Sequence, residues 1–91
     1  MLKVQNISVL KVIEDNPKLS GFELFWAAYP KKRGKGDAMR AWIQTAKVRP
    51  HIEEILSVIE TQRQSDDWNR DSGQWIPYPA SWLRAWRFFD E

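Results

Sequence analysis

Apolar residues recur along this chain at helical intervals. Phe22, Phe25, Trp26 and Tyr29 stand at i, i+3, i+4 and i+7, and Met39, Trp42, Ile43 and Ala46 repeat the pattern. Ile52, Ile55, Leu56 and Ile59 form a third stripe of the same kind. Each reads as the buried face of an amphipathic helix. Near the end, Trp82, Trp86 and Phe89 fall at i, i+4 and i+7 with Leu83 alongside, while Ser81, Arg84 and Arg87 share another face. Before Phe22 the period is lost. Leu2, Val4, Ile7, Val9, Leu10, Val12 and Ile13 fit neither alternation nor a helical stripe. Residues 1–20 therefore read as an arm or linker, open to either a strand or a short helix.

Local signals place the boundaries. Pro17 ends the arm, because the residue before a proline is pushed out of the helical region. Ser20 followed by Glu23 has capping-box spacing, so the first helix is predicted to begin at Ser20 and to stop at Pro30. A polar turn, Lys31-Lys32-Arg33-Gly34-Lys35-Gly36, leads into the second helix, where Asp37 can satisfy free amides. That helix is predicted to reach about Val48. Pro50 suits the first position of the third helix, which runs to Gln64 with a pattern open to continuation as far as Trp68. Its Glu53 and Glu54 sit where the helix dipole favours negative charge. Ser72-Gly73 reads as a turn, Gln74 to Pro79 as an extended proline-rich strip, and Ala80 to about Phe88 as the last helix, opened by Pro79. The expected fold is all-α: a compact single domain of four helices over residues 21–91, preceded by the arm.

Composition explains how so short a chain closes a core. Six tryptophans, four phenylalanines and two tyrosines in 91 residues bury much area per side chain. Phe22, Phe25, Trp26, Trp42, Trp82 and Trp86 are assigned to that core. Cysteine is absent, which excludes disulfides and thiolate metal sites and fits a reducing cytoplasm. No apolar run approaches the roughly 18 residues of a membrane span, and no signal peptide opens the chain.

Net charge is only +2, but its distribution is uneven. Residues 31–49 hold seven cations (Lys31, Lys32, Arg33, Lys35, Arg40, Lys47, Arg49) against Asp37 alone, whereas residues 50–72 hold six acids against Arg63 and Arg70. One positive and one negative side are predicted. Helix three is expected to turn its acids away from the basic side.

Catalytic chemistry finds little support. His51 is the only histidine and reads as a solvent-facing first-turn residue. Glu53 and Glu54 are adjacent, so on a helix they diverge and form no carboxylate pair. Asp67, Asn69 and Asp71 imitate the start of a calcium loop, yet the glycine is displaced to Gly73 and Tyr78 stands where the bidentate glutamate belongs. Gly34-Lys35-Gly36 lacks the rest of a phosphate loop and follows a helix rather than a strand. What remains is a cationic turn at a helix start, where free amides and the dipole favour phosphate. Arg40, Gln44 and Lys47 at i, i+4 and i+7 extend the positive surface. Trp75 and Tyr78, flanking prolines, either pin the strip to the helices or stay exposed to stack on bases or meet a protein.

Phe25-Trp26, Tyr29-Pro30-Lys31-Lys32, Gly34-Lys35, Ala38 and Ala41-Trp42, followed by Trp68, Ile76-Pro77, Pro79, Ser81-Trp82-Leu83, Arg87-Phe88 and Asp90-Glu91, form a pattern over about residues 22–91. It resembles the C-terminal module of phage and prophage replication-initiation proteins. The resemblance implies work at a replication origin, or delivery of a replicative helicase, in the cytoplasm of a bacterial host. Two positions depart from that module: Arg84 replaces its usual asparagine, and Phe88 its usual tryptophan. Such initiators also carry an N-terminal DNA-reading domain, where this chain has only the arm.

The expected function is non-enzymatic nucleic-acid binding through the DNA phosphate backbone, with Lys31, Lys32, Arg33, Lys35, Arg40 and Lys47 as contacts, joined by Arg84 and Arg87. The alternative is a protein-interaction module that recruits, or as a decoy blocks, a helicase, helicase loader or replication initiator through Trp75, Tyr78, Arg84 and Phe88. No cofactor, metal, membrane or small-molecule substrate is expected.

Overall fold

The computed structural model describes residues 16–90; the strand-or-helix question over most of the arm lies outside them. Packing begins at Pro17–Leu19, a 3-10 turn capped by the Asn16 side chain on Lys18 N (3.0 Å). Leu19 is fully buried. Five α-helices follow: α1 (Phe22–Ala28), α2 (Lys35–Gln44), α3 (Ile52–Arg63), α4 (Asp66–Asn69) and α5 (Pro79–Arg84). Two more 3-10 turns, Arg70–Gly73 and Arg87–Phe89, complete the order, and no strand occurs among the described residues. The all-α expectation holds. The four expected helices are present, and the open end of the third is a separate helix, α4, because Ser65 caps a new start at Trp68 N (3.3 Å).

Helix α1 packs on α3, and α2 packs on α5. Phe25 lies between the two layers. Its ring is stacked 5.1 Å from Trp42 on α2 and 5.8 Å from Trp82 on α5. Tyr29 meets Trp68 and Trp82 edge-on at 5.5 and 5.7 Å. The polar atoms brought in with these rings are all partnered. Trp42 Nε1 donates to Ser20 O, Trp82 Nε1 to Gln62 Oε1, and the Tyr29 hydroxyl to Pro77 O. Among the described residues no buried side-chain polar atom lacks a partner, so the core carries no desolvation penalty of that kind.

Several local expectations are corrected. Ser20 and Glu23 form no capping box. Gly21 occupies the N-cap at φ 86° without a side-chain bond, and a Cβ there would stand 3.4 Å from the Trp42 ring. Asp37 does not cap α2 either, since Gly34 is its N-cap. Pro50 lies one residue before the N-cap His51 rather than at the first helical position, whereas Pro79 does open α5. α2 ends a turn early at Gln44, where the Thr45 hydroxyl turns back onto Ala41 O (2.8 Å). Its buried residues are Ala38, Ala41, Trp42 and Thr45, while Met39, Ile43 and Ala46 are half-buried. The face is rotated by about one residue from the apolar stripe, so that two small alanines join Trp42 in the interior.

The largest correction concerns the last helix. α5 stops at Arg84, and Trp86 adopts φ 56°, a conformation rare for a bulky residue. The chain reverses there. Phe88 turns inward to meet Trp82 edge-on at 5.9 Å, leaving Trp86 and Phe89 half exposed. Trp86 is therefore not core, and Phe88 is not a surface contact.

Candidate nucleic-acid interface

Pro30 ends α1 and forces Tyr29 into an extended conformation, so the following residues leave the core. Lys32 and Arg33 are exposed. Lys32 Nζ reaches back to Ala27 O (3.0 Å) and Tyr29 O (2.6 Å), a cation placed on the electronegative end of α1. Partial loss of water, and secondly the Arg63 guanidinium, pull its pKa below the usual lysine value. Arg63 ends α3 and thus faces the basic turn, although the sequence groups it with the acidic stretch. Its position in a helix's last turn was the only available signal. Lys31 Nζ donates to Gln74 O (3.1 Å) and lies 5.6 Å over the Tyr78 ring, tying the turn to the proline-rich strip.

Lys35 pairs with Glu23 at 3.6 Å and lies over the Trp26 ring. Beyond it, the outward residues of α2 are Gly36, Arg40 and Gln44, and Lys47 stands in the turn that continues it; all are exposed. Intervals of three or four residues make them one row. Arg84 joins from α5, its guanidinium grasping Asp37 through two bonds (2.7 and 3.1 Å) and Gln44 through a third (2.9 Å). Arg40 approaches the same carboxylate at 3.7 Å. The hydrogen bonds from Arg84, reinforced by the charges of Arg84 and Arg40, hold the Asp37 carboxyl below the ordinary aspartate range.

Turn and row together hold Lys31, Lys32, Arg33, Lys35, Arg40, Lys47 and Arg84, against the paired carboxylates Glu23 and Asp37. Lys31, Lys32, Arg33 and Lys47 have no carboxylate partner among the described residues, and Glu53, Glu54 and Glu60 of α3 pair with none of these cations. Two cations stand apart. Arg87 pairs with Asp90 in the C-terminal turn. Arg49 stacks 3.6 Å over the Trp42 ring, donates to Trp42 O (2.9 Å) and Thr45 Oγ1 (3.2 Å), and has its pKa drawn down to about 10 by burial. It serves the end of α2, not the surface row.

Of the residues named for the alternative contact, Trp75 and Tyr78 are exposed (57% and 55%). Trp75 also borders a groove of about 540 Å³ between α3, α4 and the C-terminal turn, together with Val58, Gln62, Trp68, Pro77 and Arg87. No group of three histidine, cysteine or acidic side chains among the described residues is placed to hold a metal ion. Among the described residues no helix is long and apolar enough to cross a membrane.

Fold and surface thus define a small all-helical domain with an aromatic core and a cationic edge. The chain belongs to the family of the Legionella vir region protein LvrA C-terminal domain, whose model matches residues 17–85. The match begins at the first 3-10 turn and takes in α1 to α5. No curated protein and no solved structure matches the chain.

Proposed function

We propose that this domain is a non-enzymatic nucleic-acid-binding module that holds the phosphate backbone along the basic turn and the outward row of α2. The observation that supports it most is the set of exposed cations Lys32, Arg33, Arg40 and Lys47 along the turn and the outward row of α2, none of them paired with an acid of α3. Contacts of this kind position a protein without reading sequence. The resemblance of residues 22–91 to the C-terminal module of phage replication initiators supplies the setting, DNA replication initiation in a bacterial host.

The test is fluorescence anisotropy with a labelled oligonucleotide across a salt series. Arg33 and Lys47 are exposed and hold no partner the fold needs, so the double variant R33A/K47A should melt like the parent. Removing two phosphate contacts should flatten the log–log salt slope by roughly 1.4–1.8 units. Binding that is absent, or indifferent to salt, would overturn the proposal.

A second reading has its own observation. Trp86 and Phe89 are half exposed beside the C-terminal turn that borders the groove, and exposed aromatic rings are common anchors of protein interfaces. A helicase, helicase loader or initiator would be the partner there. Co-purification with replicative helicase, lost in W86A/F89A, tests it.

A further inference from the structure

We infer that the Trp75–Tyr78 strip is a stacking platform for unpaired bases, so that the nucleic acid taken by this domain is single-stranded. The inference rests on the phosphate-binding proposal above and adds the strand form to it. Four rings leave half or more of their surface in water, Trp86 and Phe89 in the C-terminal turn and Trp75 and Tyr78 on one strip beside the basic turn. The backbone between Trp75 and Tyr78 is not loose. Ile76 packs against the core, and Pro77 O accepts the Tyr29 hydroxyl at 2.7 Å. Two exposed rings therefore flank an anchored segment.

The turn before them carries left-handed backbone at two non-glycine residues. Asp71 and Ser72 adopt φ 52° and 57°, followed by Gly73 at 83°. Left-handed conformations at non-glycine residues are unfavourable and persist only where surrounding contacts hold them. Here they bring the Asp71 carboxylate to the Trp75 indole, whose Nε1 donates to Oδ2 at 2.7 Å. That bond orients the ring while leaving it accessible. Tyr78 is placed by its position as N-cap residue of α5, directly before Pro79.

Charge and stacking surfaces meet at Lys31, which touches both the strip's Gln74 O and the Tyr78 ring, with Lys32 and Arg33 next in the chain. A single strand needs this combination, cations for the phosphates and aromatic faces for successive bases. In a duplex the base faces are already stacked on one another and are out of reach. Each ring has a polar or charged partner beside it, Asp71 at Trp75 and Lys31 at Tyr78.

The test uses a labelled twelve-nucleotide mixed-sequence single strand and the matching duplex. Variants are W75A, Y78A, W75F, Y78F and R33A/K47A, with thermal melts as a control of folding. The single strand should bind more tightly than the duplex. Each alanine should weaken single-strand binding by ~5- to 150-fold, the range for loss of one stacked base, and leave duplex binding unchanged. The phenylalanine variants should retain most of the affinity. If alanines leave single-strand binding intact while R33A/K47A weakens it, the stacking inference falls and phosphate binding stands. Equal losses on both oligonucleotides would also overturn it. If the parent binds neither, both ideas fall and the strip belongs to a protein contact.

Discussion

Replacing Tyr29 by phenylalanine removes one oxygen and nothing else from the centre of the domain. The ring is fully buried, and its contacts with Phe25, Trp68 and Trp82 survive the change. The loss is the 2.7 Å hydrogen bond to Pro77 O, which spans 48 residues and fastens the strip to α1. A neutral hydrogen bond contributes about 1 kcal/mol net, and a carbonyl left dry costs about 1–3 kcal/mol. Pro77 is half-buried, so water can reach its carbonyl and the lower end applies. We expect a loss of ~1–2 kcal/mol, and each kcal/mol moves Tm by roughly 4–8 °C in a domain of this size. Urea unfolding followed by tryptophan fluorescence measures it directly, with Tyr78→Phe as the control. That exposed hydroxyl has no partner among the described residues, and the change should stay within about 0.5 kcal/mol.

Alkaline pH supplies a second readout of the same group. Burial raises the Tyr29 pKa above its ordinary value, with the Arg87 charge opposing. The unfolded chain then releases this proton first. The stability it confers is intact below the unfolded pKa near ~10 and declines as pH rises further towards the folded value. Tyr29→Phe should therefore lose stability less steeply than the parent above about pH 10. Equal stabilities of Y29F and Y78F, together with identical alkaline slopes, would refute the role given to this hydroxyl.

Three further outcomes follow from the geometry. Arg49→Ala removes the guanidinium from the Trp42 ring and from Trp42 O and Thr45 Oγ1; a loss of ~1–3 kcal/mol is expected in urea titration, only partly restored by lysine, which lacks the planar stack. Arg84→Gln frees the Asp37 carboxyl, whose titration by NMR should move upward. Because Asp37 is depressed in the folded chain, its contribution is present above the unfolded pKa near ~3.9 and lost as pH falls through the folded value, and the variant should lack that acid-dependent part. Gly34→Ala must adopt φ 65° and should cost ~1–2 kcal/mol, whereas Gly36→Ala, helical with nothing within 4 Å of a new Cβ, should gain ~0.5–1 kcal/mol in thermal melts.

Much of this was legible in the chain itself. Spacing at three and four residues found α1 and α3, and Pro30 and Pro79 placed a helix end and a helix start. The exposed row of Arg40, Gln44 and Lys47 follows from the same arithmetic. Capping is the exception, because residue type and spacing at Ser20 and Asp37 do not register the distant partners that claim them. In the folded chain Ser20 lends its carbonyl to Trp42, and Asp37 is taken by Arg84, forty-seven positions away. Arg63 shows the same limit from the other side: no spacing rule connects it to Lys32, because only the packing of α1 on α3 sets them side by side.

By itself the sequence determined an all-helical chain with an aromatic interior and a positive edge, since periodicity, prolines and charge runs act over a few neighbouring residues. Which aromatic rings occupy the interior was decided only in three dimensions. An unbroken helix would have buried Trp86 and Phe89, but a left-handed turn at Trp86 lets Phe88 reach Trp82 instead. Competition between rings for one cavity depends on shape and volume at the meeting of distant elements, and no local pattern encodes its outcome.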